Sequence, residues 1–305
     1  MTHPDSDVGE FAVATHGLSK RYGRKLALDE VELRVPEGSV YVLVGVNGAG
    51  KSTLFKTLMN LERPDTGAAE VFGLDTGGSG PEVRAQIGYV PERQEAPYRY
   101  MSCARLLRHA AAFYPAWDHA YADHLARALG VPPEQRVGGL SKGETRRLQL
   151  VMALAHRPAL LLFDEPMDGL DPLVRRRALA LLAEHLADAP TTVVISTHHV
   201  QELESLADHV GVLRGGRLVA QMSRDDLQRT VRTYELEAPE GWEVPKDLHA
   251  TALRRSSTGR DMRCTLVGEE RDITGRLLAA GARVRGSSTL ALEDAALAFL
   301  PEEPS

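Results

Sequence analysis

The chain has 305 residues, of which 43% are hydrophobic and 26% are charged, and its formal net charge is −6. These values are typical of a globular protein with one large domain or two smaller ones, and the acidic balance argues against a nucleic-acid-binding surface. The longest apolar run, around Val40 to Val44, is far too short for a membrane helix, and the polar N-terminus has no signal-peptide core. The two cysteines, Cys103 and Cys264, have no paired spacing, which favours a reduced cytoplasmic setting.

The N-terminal part predicts a strand that leads into a phosphate-binding loop. Residues 10–44 alternate apolar and polar positions, with turn signals at Gly23 and at Pro36–Gly38. This segment ends in an apolar strand and precedes Gly45–Ser52, which fits the GxxxxGK[ST] pattern, and residues 53–59 have helical periodicity. Strand, glycine-rich loop and helix in this order predict a P-loop.

The chemistry of this loop predicts binding of a nucleoside triphosphate. Its glycines allow successive backbone N–H groups to point at a phosphate, and the following helix adds its positive N-terminal end. Lys51 can reach the β- and γ-phosphates, and the Ser52 hydroxyl can bind Mg²⁺.

Further along the chain, strands and helices alternate. This alternation predicts a mostly parallel sheet with helices on both faces, hence an α/β fold. The predicted elements are a strand at 87–90, a helical region at 102–130 broken at Pro115, a helix at 144–156, a strand at 160–163, a helix at 173–187 and a strand at 193–196.

After about residue 224 the pattern changes. Residues 234–267 read as short strands with polar loops, followed by a helix at 273–280, a strand at 282–285 and a last helix at 291–299. We therefore predict a first domain at 11–224 and a small α+β accessory domain at 225–305, with a peripheral extension of the first domain as the alternative.

Four further motifs follow the P-loop in a fixed order: Leu140–Glu144 (LSKGE), Leu160–Pro166 (LLLFDEP), Asp168–Asp171 (DGLD) and Ile195–His198 (ISTH). With them, the chain strongly resembles an ATP-binding cassette (ABC) ATPase of the exporter-like ABC-2 type, over roughly residues 11–220. Each motif alone is weak, whereas their order behind a P-loop is specific. The resemblance implies a P-loop NTPase with a mostly parallel core sheet, an antiparallel β subdomain and a helical subdomain, plus the small C-terminal α+β domain.

The resemblance also implies roles for individual residues. Glu165 corresponds to the general base, with Lys51 and the switch residue His198 at the γ-phosphate, although a surface histidine is the alternative for His198. Asp164, Ser52 and Glu92 correspond to the Mg²⁺ site. Tyr22 corresponds to the aromatic that stacks on adenine, with an ordinary loop tyrosine as its alternative. The remaining expected ATP contacts are Gly45, Asn47, Gly48, Ala49, Gly50 and Thr53.

The signature segment predicts a contact with a second subunit. Ser141 and Glu144 form a Ser-x-x-Glu capping box at a helix start, which by itself is only a cap. The resemblance implies that Ser141, Gly143 and Glu144 also contact ATP held by a partner, with Asp171 at the same seam. Because the chain has one of each motif, a working unit would need a head-to-tail dimer of two chains or of paired homologues.

Several positions depart from the pattern of the family. Glu92 stands where a glutamine is usual, Lys142 replaces a glycine and Glu144 a glutamine, and Val46 and Asp168 are also atypical. We expect these changes to affect the rate of hydrolysis more than nucleotide binding, since the backbone N–H group of Lys142 remains and the Val46 side chain is not a phosphate ligand. The changes predict measurable but slow ATP hydrolysis.

The favoured function is the ATP-hydrolysing subunit of a transporter, peripheral on the cytoplasmic face of the membrane through a separate permease. Segment 92–102 is expected to face that permease, and export is the expected direction. A soluble ABC ATPase acting on ribosomes or chromosomes is the alternative. A GTPase or small-molecule kinase is disfavoured, because the sequence contains no Asn-Lys-x-Asp motif.

Overall fold

The structure is a computed structural model that describes residues 11–93, 98–197, 200–239, 241–248, 252–258 and 260–300. Within these residues the strands form three sheets. The strands of the first, antiparallel sheet are β1 (Phe11–Tyr22), β2 (Lys25–Val31), β3 (Arg34–Pro36), β5 (Thr66–Val71) and β6 (Leu74–Asp75). They lie in the order β2-β1-β5-β6, and β3 also pairs with β1.

The central sheet carries the P-loop. Its strands are β4 (Val40–Val44), β7 (Ile87–Val90), β8 (Leu160–Asp164), β9 (Thr192–Thr197), β10 (His209–Arg214) and β11 (Arg217–Ser223). They lie in the order β11-β10-β4-β9-β8-β7, and β11 alone pairs antiparallel within this described sheet. Every residue of β4, β8 and β9 is buried, because both faces of the sheet are covered. The predicted mostly parallel α/β core is thus confirmed.

The helices that flank the sheets include the predicted ones. The helical region at 102–130 consists of two helices separated around Pro115, and the P-loop helix begins at Lys51, slightly earlier than predicted. The bounds are α1 (Lys51–Leu58), α2 (Gly80–Ala85), α3 (Cys103–Ala111), α4 (His119–Ala128), α5 (Lys142–Leu154), α6 (Pro172–Asp188), α7 (Arg224–Thr230), α8 (Glu270–Ala279) and α9 (Leu292–Leu297). No helix within the described residues is long and apolar enough to cross a bilayer.

The third sheet is the C-terminal one. Its strands are β12 (Val231–Glu237), β13 (Ala252–Thr258), β14 (Asp261–Val267) and β15 (Arg283–Thr289), in the antiparallel order β13-β14-β12-β15. Tyr234 and Leu266 of the sheet pack with Ile273 and Leu277 of α8 in a separate small core. The predicted accessory region therefore has its own α+β core.

The last helix, α9, packs on the first domain. Leu292, Phe299 and Leu300 are buried in the same apolar cluster as Val200 and Leu203, which follow β9. Arg214 at the end of β10 donates a hydrogen bond to the Phe299 carbonyl (2.9 Å). The boundary near residue 224 stays a prediction, and the packing of α9 crosses it.

His185 on α6 is buried in a polar cluster away from the P-loop. Its Nδ1 lies 3.0 Å from the Tyr121 hydroxyl, and its Nε2 lies 3.5 Å from Thr191 Oγ1. Burial, assisted by the nearby Arg157 guanidinium, lowers the pKa of His185 to about 4. The folded protein therefore holds this imidazole in its neutral form at neutral pH.

This burial predicts acid destabilisation. An unfolded histidine has a pKa near 6.5, so below that pH the unfolded state binds a proton that the folded state resists until about pH 4. We expect the free energy of unfolding to fall by about 2 kcal/mol between pH 7 and pH 5 because of His185. Urea denaturation across this range checks it, with His185→Gln as the comparison: an unchanged pH slope in that variant would contradict the assignment.

Candidate active site

The P-loop follows β4 and turns sharply into α1. Gly50 has φ +115°, and a Cβ there would lie 2.4 Å from the Ala27 carbonyl oxygen. A Cβ on Gly45 would lie 2.5 Å from the Leu213 carbonyl oxygen. Larger residues are therefore excluded at both positions. Because Gly50 caps α1 without any side chain, the first N–H groups of this helix remain available for an anion.

One cavity brings most of the predicted nucleotide-site residues together. It is lined by Tyr22, Lys25, Ala27, Asn47, Gly48, Ala49, Gly50, Lys51, Ser52, Thr53, Glu92, Asp164 and Glu165. Residues from β1, β2, the P-loop and the end of β8 thus meet at one edge of the central sheet, where ligands bind in open α/β folds.

Lys51 and Glu165 form a buried ion pair in this cavity. The Lys51 ammonium donates to the Gly45 carbonyl (2.6 Å) and lies 3.6 Å from Glu165 Oε1. Both side chains are less than one-tenth exposed. The ammonium thus sits at the P-loop, next to the carboxylate that is predicted to act as general base.

Glu165 has an unusual backbone conformation. Its φ is +48°, in the left-handed region that non-glycine residues seldom adopt. Its N–H group faces both the carbonyl (3.1 Å) and the hydroxyl (3.3 Å) of Ser196 on β9. This strained backbone is held in place by the neighbouring strand, a pattern that is common at active sites.

The oxygen atoms near Ser52 fit a magnesium ion. The Ser52 hydroxyl donates to Glu92 Oε2 (3.1 Å), and Ser196 donates to Asp164 Oδ1. Asp164 Oδ2 is buried with no hydrogen-bond partner among the described residues. A hydroxyl and carboxylates are hard ligands of the kind that Mg²⁺ takes together with nucleotide phosphates. No group of three His, Cys, Asp or Glu side chains within the described ranges is placed to hold a metal alone.

Tyr22 lies at the open rim of the cavity. It ends β1, is 42% exposed, and its ring centroid lies 5.5 Å from Lys20 Nζ. An exposed ring at this rim is accessible for stacking on a base. The assignment to adenine stays a prediction.

The signature residues are not brought into this cavity. Ser141 caps α5: its hydroxyl accepts from the Glu144 N–H (3.2 Å), and its own N–H donates to Glu144 Oε2 (2.8 Å). This second bond lowers the pKa of the Glu144 carboxyl.

A Cβ on Gly143 would lie 2.8 Å from the Gly169 carbonyl oxygen, so the signature packs closely on the loop before α6. Asp171 caps α6 by accepting from the Leu173 and Val174 N–H groups.

Arg146 on α5 connects the signature helix to the segment that carries Glu92. Its guanidinium is 1% exposed and donates to the carbonyls of Pro91 and Glu92, the latter at 2.8 Å. Burial lowers the pKa of Arg146, and the carboxylates of Asp168 and Asp164 oppose this shift. Arg146 thus fixes the backbone from which Glu92 reaches Ser52.

Replacing Arg146 by methionine should destabilise the protein. The change removes a buried guanidinium and its hydrogen bonds to two partly buried carbonyl oxygens, so we expect a loss of about 3 kcal/mol in the free energy of unfolding. Urea denaturation measures this loss. Arg105→Met, at an exposed position of α3, is the matched control, with an expected change of about 0.5 kcal/mol or less. Equal losses in the two variants would refute a specific role for Arg146.

Two residues that support the site, Ser196 and Arg146, were not predicted from the sequence. The predicted role of His198 stays a prediction. Ser196 follows the apolar run Val193–Ile195 in a fully buried strand, and a buried hydroxyl there was a signal that a polar partner lies nearby. Arg146 gave no such signal, because charged residues are common on helices. His198 lies outside the described residues, as does part of segment 92–102.

Comparison with known protein families and with individual proteins shows what this chain is similar to. The family described as "ABC transporter" matches residues 28–168, and one described as "AAA domain, putative AbiEii toxin, Type IV TA system" matches residues 133–204. The chain is 32% identical over 224 residues to the bacitracin transport ATP-binding protein BcrA of Bacillus licheniformis, covering 73% of each chain. It is 35% identical over 228 residues to the daunorubicin resistance ATP-binding protein DrrA3 of Streptomyces coeruleorubidus, covering 72% of this chain and 71% of that protein.

An import protein and a solved structure are similar as well. The ribose import ATP-binding protein RbsA of Pseudomonas putida is 37% identical over 219 residues, covering 68% of this chain but 42% of that longer protein. A structure described as the ATP binding subunit of an ABC transporter superposes with a TM-score of 0.65 at 29% identity, covering 72% of this chain and 92% of that one.

Proposed function

This chain belongs to the ABC transporter family of ATP-binding proteins, and on this premise we propose that it powers a separate membrane permease, with export as the direction of transport. It is an ABC-type ATPase. The observation that carries the proposal is the cavity in which the P-loop, Glu92, Asp164 and Glu165 meet.

In this proposal the cavity residues have three different roles in ATP hydrolysis. The P-loop N–H groups and Lys51 bind the phosphate chain and neutralise its charge. Glu165, beside the Lys51 ammonium, orients the attacking water and accepts its proton. Ser52, Glu92 and Asp164 would hold Mg²⁺, whose contribution in such sites is to neutralise charge on the β- and γ-phosphates.

A second ATPase subunit is part of the proposal. Ser141 and Lys142 are exposed at the N-terminal end of α5, and neither lines the cavity of its own chain. The N-terminal end of a helix attracts anions, so these residues are suited to the γ-phosphate held by a partner. ATP would then join two chains head to tail, and hydrolysis would release them.

We also propose that this chain lies on the cytoplasmic face of the membrane and that the transporter exports its substrate. The names of the relatives BcrA and DrrA3 refer to bacitracin transport and to daunorubicin resistance. Resistance to a toxic compound is consistent with its removal from the cell. The relative RbsA is named as an import protein, so transport in the opposite direction also occurs among similar proteins. The test below must therefore distinguish import from export.

The test uses a tagged Glu165→Gln variant, which should bind ATP without hydrolysing it. Expressed in its native cell and fractionated with Mg-ATP, it should be enriched in membranes together with one polytopic protein. A Lys51→Ala/Glu165→Gln double variant, unable to bind ATP tightly, is the matched control for the ATP dependence. Recovery in the cytosol with ribosomes or DNA would overturn the proposal. In vesicles that hold the purified pair, transport toward the side that carries the ATPase subunit, rather than away from it, would overturn the direction.

A further inference from the structure

Lys25 is a cavity residue to which the ATPase assignment gives no role. It is the first residue of β2 and pairs with Tyr22 across the tight turn Gly23–Arg24. Its Nζ lies 3.6 Å from the position that a Cβ on Gly48 would take. The hairpin therefore extends this ammonium over the P-loop, on the cavity side.

The charges around Lys25 leave its ammonium available for an anion. Lys20 pairs with Glu62 and Lys51 with Glu165, whereas none of the ion pairs formed within the described part of the chain includes Lys25. The cavity also contains the carboxylates of Glu92, Asp164 and Glu165. A polyphosphate that enters the cavity carries several negative charges, so an ammonium in addition to Lys51 and Mg²⁺ would stabilise it further.

We propose that Lys25 is a second cation of the phosphate site, contacting the phosphate chain of a bound nucleoside di- or triphosphate. The inference rests on ATP binding in this cavity and adds to it a residue outside the P-loop. Tyr22 and Lys25 are paired across one hairpin. The turn between them therefore fixes the distance from the ring that is predicted to stack on the base to the ammonium that would contact the phosphates. The contact therefore favours a long phosphate chain over a single phosphate.

Binding measurements with nucleotides of different phosphate number test this inference. We would titrate ATP, ADP and AMP calorimetrically into the full chain in the Glu165→Gln background, with and without Lys25→Met. A charge-assisted contact is worth about tenfold in affinity, so we expect ATP and ADP to bind about tenfold more weakly and AMP to change by less than about twofold. The salt dependence of ATP affinity should also become shallower in Lys25→Met.

Arg24→Met is the matched control. Arg24 has the same charge, is exposed in the same turn and does not line the cavity, so ATP affinity should stay unchanged. The inference fails if Lys25→Met leaves ATP affinity unchanged, if AMP is weakened as much as ATP, or if Arg24→Met weakens ATP equally. A parent chain that binds no ATP at all would instead overturn the proposed function. Thermal unfolding of each variant verifies that it is folded.

Discussion

Replacing Glu165 by glutamine should lower the rate of ATP hydrolysis by about 10²- to 10⁴-fold, the usual contribution of a general base. The amide cannot accept a proton from the attacking water, although its shape is nearly that of the carboxylate. The Glu165 group that donates to Ser196 is its backbone N–H, which the substitution does not change, so the strained loop should remain in place. The rate is measured as phosphate release at saturating Mg-ATP, and the affinity for ATP by equilibrium binding.

The ATP affinity of the Glu165→Gln variant distinguishes loss of the general base from loss of the fold. We expect ATP affinity in Glu165→Gln to stay within about threefold of the parent, because most of the binding energy comes from the P-loop. Glu184→Gln, at an exposed carboxylate of α6, is the control and should hydrolyse ATP normally. If Glu165→Gln kept more than a tenth of the parent rate, another group would have to be the base.

Removing residues 292–305 should cost the first domain most of its stability. Leu292, Phe299 and Leu300 are buried in the main apolar cluster of that domain. Burial of a large apolar side chain is worth about 1.5–3 kcal/mol, so the loss is on the order of 5 kcal/mol or more. Because a whole domain is stable by only about 5–15 kcal/mol, we expect the truncated chain to be insoluble or unable to bind ATP.

Single substitutions make the same prediction measurable in soluble protein. Leu292→Ala should lower the free energy of unfolding by about 3 kcal/mol, as expected of a buried leucine. Leu278→Ala, at a leucine that is 53% exposed on α8, should change it by less than about 1 kcal/mol. A truncated chain with the denaturation midpoint of the full chain would refute the role of α9.

The parts of the fold that were predicted from sequence are those with strong local signals. The P-loop combines an apolar strand, required glycines and a periodic helix within a few residues. Strands β5 and β6 were missed because residues 66–75 are short, glycine-containing and only partly apolar. The β10–β11 hairpin was also missed, although Gly215-Gly216 between two apolar runs is a recognised turn signal.

The site was predictable where chemistry follows a linear motif and unpredictable where it depends on tertiary packing. Asp164 ends a buried strand and Glu165 follows it directly, so their position at the carboxyl end of that strand followed from the pattern. The contact of Arg146 with the Pro91 and Glu92 carbonyls joins positions more than fifty residues apart in sequence. The position of Lys25 over Gly48 likewise depends on how the first sheet packs on the second. No spacing rule contains that information.

The packing of α9 also determines when, during synthesis, the ATPase domain can be completed. Chains emerge from translation with the N-terminal end first, and domains usually fold in that order. Here the P-loop is made early, whereas Leu292, Phe299 and Leu300, which fill the core behind β9 and β10, are made only after the whole C-terminal sheet β12–β15. The nascent chain therefore carries an unfilled apolar core until α9 and the two apolar residues after it have been made. Premature termination anywhere in the accessory region would yield a product that exposes this core and is recognised as misfolded.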